Sequence, residues 1–169
     1  MAKYLIANGP MQTTAAFAPV TTGTTIKTLL QVKPGTTKNA KICEWGISFD
    51  GSAAATPIKV ELIETDVAAT VTASVANDLT KLDDNALSGG DPTTALIAVG
   101  TTSTGYTSSS EGSITAVRNL DLQLIAPTGQ YVKQFPLGSE PVIQVSKFGR
   151  IRVTAAAAVN AYCYMIVEV

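Results

Sequence analysis

From Ile26 onward, apolar and polar residues alternate with period two along most of the chain, the spacing of strands that bury one face. Ile26, Thr28, Leu30 and Val32 fall on one side and Lys27, Gln31 and Lys33 on the other, before Pro34-Gly35 breaks the run. The stretch from Ile42 to Phe49 follows, with Cys43, Trp45, Ile47 and Phe49 on an apolar face and Glu44 and Ser48 opposite; Asp50-Gly51 then turns the chain. After a loop at Ser52 to Thr56, Ile58 to Leu62 alternates almost perfectly, and Val71, Ala73 and Val75 predict a weaker strand.

Further along, Thr94 to Val99 predicts a strand, and the Thr/Ser/Gly composition of Gly100 to Gly112 predicts a loop or a sheet edge. Ile114, Ala116, Leu120, Leu122 and Leu124 share parity with Arg118, so a straight strand would drive that Arg into an apolar face. A bulge or break near Arg118-Asn119 is therefore expected. Pro127-Thr128-Gly129 predicts a turn and Gln134 to Gly138 a loop. Strands are expected at Val142 to Ser146 and around Ile151 and Val153, and Tyr162 to Val169 is apolar on both parities, as a strand covered on both faces would be. Only Asn77 to Asp91 could hold a helical turn, with Leu79, Leu82 and Ala86 at helical spacing. Roughly nine or ten short strands of this kind predict an all-β chain, an antiparallel β-sandwich or a barrel. Residues 1–25 show no sustained period and are expected to form an extended N-terminal arm ahead of one domain over 26–169, solvated or laid along a neighbouring subunit.

Composition narrows what such a sandwich could do. The chain has 169 residues, enough for one core, and Thr, Ala and Val dominate it beside 4 Phe and 1 Trp. Charged residues make up 15% and the net charge is -1, which argues against nucleic acid as a partner. His is absent, and with it the usual general base and the commonest neutral zinc ligand. No apolar run approaches the length of a signal-peptide core at the amino end or of a membrane span elsewhere, so a soluble chain is expected.

Groups that could carry chemistry are few. Glu61 and Glu64, three apart on a strand, point to opposite faces and cannot act as a local carboxylate pair. Asp78, Asp83, Asp84 and Asp91 offer oxygen ligands in one segment, but at no known cation-loop spacing, and a solvated acidic turn accounts for them. Lys33, Lys38 and Lys41 fit a solvated hairpin tip. Cys43 and Cys163 form no CxxC unit and are expected as small apolar side chains. No catalytic, metal or cofactor site is expected. Candidate subunit or partner contacts are Tyr4, Leu5, Ile6 and Phe17 in the arm, and Arg150 and Arg152, which share a face and could clamp carboxylates across an interface.

Three blocks carry a family resemblance. Thr104-Gly105-Tyr106-Thr107-Ser108-Ser109-Ser110-Glu111-Gly112-Ser113-Ile114-Thr115, Gln134-Phe135-Pro136-Leu137-Gly138, and Gly149 to Ala155 followed by Ala157 to Ala161 and Val167-Glu168 together resemble the head decoration (cement) proteins of tailed bacteriophages. That resemblance implies a jelly-roll-like sandwich and a structural virion protein. It implies a homo-oligomer, a trimer, bound to the major capsid protein on the exterior of the head after synthesis in the host bacterial cytoplasm. The competing expectation is a ligand- or receptor-binding module of a tail, fibre or cell-surface protein, stacking its ligand on Trp45 or on Tyr106 and Tyr131.

Overall fold

The computed structural model describes residues 1–52, 56–83 and 96–169. The expected loop at 52–56 lies partly outside these residues, as do Asp84, Asp91 and most of the segment for which a helical turn was considered. Two antiparallel sheets pack face to face as a β-sandwich. The first is ordered β11 (Gln130–Gln134), β4 (Ala40–Asp50), β14 (Asn160–Glu168), β1 (Lys3–Ala7) and β7 (Leu79–Lys81), with β12 (Val142–Ile143) beside β4 and β2 (Val20–Thr21) beside β14. The second is ordered β10 (Val117–Ile125), β5 (Ile58–Thr65), β13 (Phe148–Thr154), β3 (Lys27–Pro34), β9 (Gly105–Ser110) and β6 (Thr70–Ala73), with β8 (Ile97–Ala98) on β3. The chain crosses between the sheets from β3 to β4 to β5, from β10 to β11 and from β13 to β14, so the two sheets are interwoven into one sandwich. The segment around Asn77 holds one short 3-10 turn, Ala76–Asp78, and then enters β7.

Inward side chains of the two sheets make one core. Tyr4 and Ile6 of β1, Trp45 and Ile47 of β4, Val60 and Leu62 of β5, Ile151 and Val153 of β13, and Cys163, Met165 and Val167 of β14 all belong to it. Trp45 is fully buried, with its ring 5.3 Å from that of Tyr131. Burying so many branched and aromatic groups, at roughly 1.5–3 kcal/mol each, provides the main driving force for the fold. Cys43 and Cys163 are both free thiols. Cys43 falls at a break in register, where Val167 pairs with Ile42 and Ile166 with Glu44, so this bulge turns Cys43 away from the core face that straight alternation assigns to it.

Three sequence expectations are corrected. The first concerns residues 1–25, which are not an extended arm. Lys3–Ala7 is an inner strand between β14 and β7. Beyond it, Asn8 accepts from the Cys163 amide at 3.0 Å and donates to the Ala161 carbonyl, and Thr22 accepts from the Val159 amide at 3.1 Å. Between those two pins residues 9–19 form a strap outside the sheets, and Val20–Thr21 returns to pair with β14 as β2. The second concerns β14, which is central but not covered on both faces: Ala161, Cys163, Met165 and Val167 are buried while Tyr162, Tyr164 and Ile166 are partly exposed. The third concerns Gly105–Ser110, which is a full strand paired with β3 and β6.

One backbone position is strained. Thr107 has φ of 52°, where β-branched residues are rare, and it bulges out of the β6–β9 pairing between Tyr106 and Ser108. Replacing it by glycine removes the clash between Cβ and backbone. Thr107→Gly is expected to stabilise the fold by about 0.5–1 kcal/mol, a rise of about 1–4 °C in Tm by calorimetry; a fall in Tm contradicts the strain.

Candidate functional site

Arg150 lies on the outward face of β13 yet is fully buried, because the chain around Asp66–Val67 and Glu111 folds over it. One guanidinium nitrogen donates to the Glu111 carbonyl at 3.1 Å and to its carboxylate at 3.4 Å, while the other donates to the Val67 carbonyl. The same carboxylate accepts from the Thr28 amide at 2.6 Å, the Thr28 hydroxyl at 2.7 Å and the Ser108 hydroxyl at 2.6 Å. Desolvation pulls the Arg150 guanidinium down to about 10, against the pull of Glu111. Arg152 is engaged with Glu61, at 2.7 Å across the β5–β13 pair. Each of the two arginines therefore has its carboxylate within this chain.

The remaining contact candidates separate by parity. Tyr4 and Ile6 point into the core, whereas Leu5 takes the opposite face of β1 and looks outward. Phe17, on the strap, is half-exposed with its ring 5.0 Å from Tyr162. Leu5 and Phe17 meet along a groove on the outer face of the first sheet; Arg150 and Arg152 stand on the other sheet. Beside the groove Tyr164 donates to Glu44 at 2.6 Å, and burial with that bond pushes its hydroxyl up to about 12. Gly46 makes room for this ring: a Cβ there would lie 2.6 Å from Tyr164 Cε1.

One exposed apolar surface stands where the sequence pattern predicted an inward face. The β10–β5 register slips between Asn119 and Asp121, so the bulge falls at Leu120, close to the break expected at Arg118-Asn119. Beyond the bulge the parity is reversed: Asp121 and Ile125 are buried, while Leu122 and Leu124 stand outward, 53% and 71% exposed. Asp121 can turn inward because it is fully partnered. Its carboxylate accepts from Gln123 at 2.7 Å and from the Tyr131 hydroxyl at 3.1 Å, and it pairs with Lys133 at 3.3 Å. Tyr131 and Lys133 belong to β11, so this network joins the edge strands of the two sheets. Burial and the bond to Asp121 push the Tyr131 hydroxyl above its ordinary value.

Val132 on β11 and Leu137 are further exposed apolar side chains, at 56% and 94%. Leu137 tops a turn closed by a hydrogen bond from the Ser139 amide to the Pro136 carbonyl at 2.9 Å. Gly138 takes φ of 85° in the next position, as a type II turn requires. The sequence alternation alone places Leu122 and Leu124 inward, with Asp121 and Gln123 outward, and only the bulge exchanges them. Nothing local marked Leu137.

Among the described residues no three acidic or thiol side chains are placed to hold a metal ion, and no helix is long and apolar enough to cross a membrane. No family model, curated protein or solved structure matches the chain.

Two outcomes follow from these networks. Glu111→Gln leaves the Arg150 charge buried without a counter-ion and is expected to cost about 3 kcal/mol in urea denaturation. Adding Arg150→Met to that variant costs little more, whereas additive losses would show that the two residues are not coupled. Tyr131→Phe removes one donor and one acceptor from the edge network and is expected to cost about 1 kcal/mol, with faster amide exchange in β10. Unchanged exchange there rules out the network as the clasp.

Proposed function

We propose that the chain is a structural virion protein, a decoration or cement protein that binds the outside of a tailed-phage head as an oligomer, a trimer, and stabilises the shell. The observation that carries this reading is the line of outward leucines on a clasped sheet edge. Leu122 and Leu124 are held by strand pairing on one side and by the Asp121 network beneath, so covering them costs little conformational freedom. An exposed apolar edge strand invites a protein partner, because isolated apolar side chains on a long free edge otherwise favour unspecific pairing. The three sequence blocks that resemble decoration proteins support the same reading. The first and third supply the Glu111–Arg150 lock, and the second supplies the Leu137 turn.

In this account the partner is the major capsid protein, together with further copies of the same chain. Each bound copy contributes binding free energy to the assembled shell and to nothing else, so the shell is favoured over its dissociated parts. A receptor-binding role would need exposed aromatic platforms, but Trp45 is buried and Tyr131 is committed to the edge network. Of the residues the sequence offered for stacking, that leaves Tyr106, which is half-buried on β9.

The test is attachment to heads stripped of their decoration. Leu122→Asp with Leu124→Asp changes only exposed positions and is expected to leave stability within about 0.5 kcal/mol per site. Sedimentation with heads is expected to weaken at least about tenfold, the effect of losing one buried leucine or more. Unweakened binding by a folded variant contradicts the role of this edge, and failure of the unaltered chain to bind heads contradicts the function.

A further inference from the structure

The groove over the first sheet has no part in the leucine edge and lies at the far side of that sheet, on β14, β1 and β7. It encloses about 460 Å³, the size of a small-ligand site. Leu5 and Tyr162 floor it, Met11 and Phe17 of the strap wall it, and Asp78 is the one charged residue that lines it.

The carboxylate of Asp78 has acceptor capacity to spare. One oxygen accepts from the Met11 amide at 2.8 Å and the other from the Val75 amide at 2.8 Å. A carboxylate offers about four acceptor sites, so one remains on each oxygen. Two adjacent acceptors match the two parallel donors of a guanidinium fork. Beside them the Phe17 and Tyr162 rings, tilted at 54°, offer aromatic faces to a planar cation, and Leu5 and Met11 can line an alkyl stem. A neutral apolar occupant leaves those two spare acceptor sites without a donor, and an anion is repelled by the carboxylate.

We propose that this groove receives an arginine side chain presented by a partner protein. The assignment stands apart from the virion reading, because it rests on the groove alone and its test needs no particle.

The experiment is a titration of the full chain followed by backbone amide resonances, with Nα-acetyl-argininamide as one probe and Nα-acetyl-norleucinamide as its uncharged counterpart. Saturable shifts at Leu5, Ala7, Thr80 and Tyr162 are expected with the arginine probe, and binding at least about tenfold weaker with norleucine. Asp78→Asn is expected to abolish that preference. Because Asp78 also holds the strap, Phe17→Ala serves as the second variant; Phe17 is half-exposed, and its loss is expected to weaken the arginine probe several-fold with the sheet amides unmoved. Equal binding of the two probes, no saturable shift at the groove, a preference that survives Asp78→Asn, or an affinity unchanged by Phe17→Ala overturns the proposal.

Discussion

A single half-buried carboxylate ties three neighbouring strands of the second sheet together. Glu111 joins three neighbouring strands, taking hydrogen bonds from Thr28 on β3 and Ser108 on β9 and facing Arg150 on β13. Thr28 sits where the β3–β13 register slips past Leu29, and a bulge of this kind leaves an amide without its ladder partner. The carboxylate supplies that partner. It also answers a guanidinium that could not otherwise be buried, so the segment after β9 is held down over the outer face of the sheet. A small-side-chain β protein with little charge gains its specificity from a few such polar groups, each tied to several strands.

The same principle operates at the free side of the sandwich. Asp121 is buried because Tyr131, Gln123 and Lys133 satisfy it, and by turning inward it turns Leu122 and Leu124 outward. A polar network therefore determines where the apolar surface appears. Leucines placed in this way are presented by a hydrogen-bonded frame, which supports the proposed role in holding other proteins in place.

Much of the fold was legible in period-two alternation: the strands beginning near Lys27, Ala40 and Ile58, the central position of the last strand, and the break in the strand after Arg118. What misled was parity beyond a bulge. Alternation says that successive residues face opposite ways, but an extra residue at Cys43 or Leu120 exchanges the faces, and only the pairing register reveals it. The sheet position of Lys3–Ala7 was also hidden, because five residues ahead of Asn8-Gly9-Pro10 carry too short a pattern, and their strand partners lie far along the chain, at Leu79–Lys81 and Asn160–Glu168. Arg150 read as a surface clamp because sequence could not show the chain near Val67 and Glu111 lying over it.

The claim that this sandwich is a shell-wide structural component is tested most directly by counting. Gradient-purified particles from the source, analysed by quantitative mass spectrometry, give the ratio of this chain to the major capsid protein. The account predicts a copy number comparable to that of the capsid protein. A handful of copies per particle, or none, contradicts it.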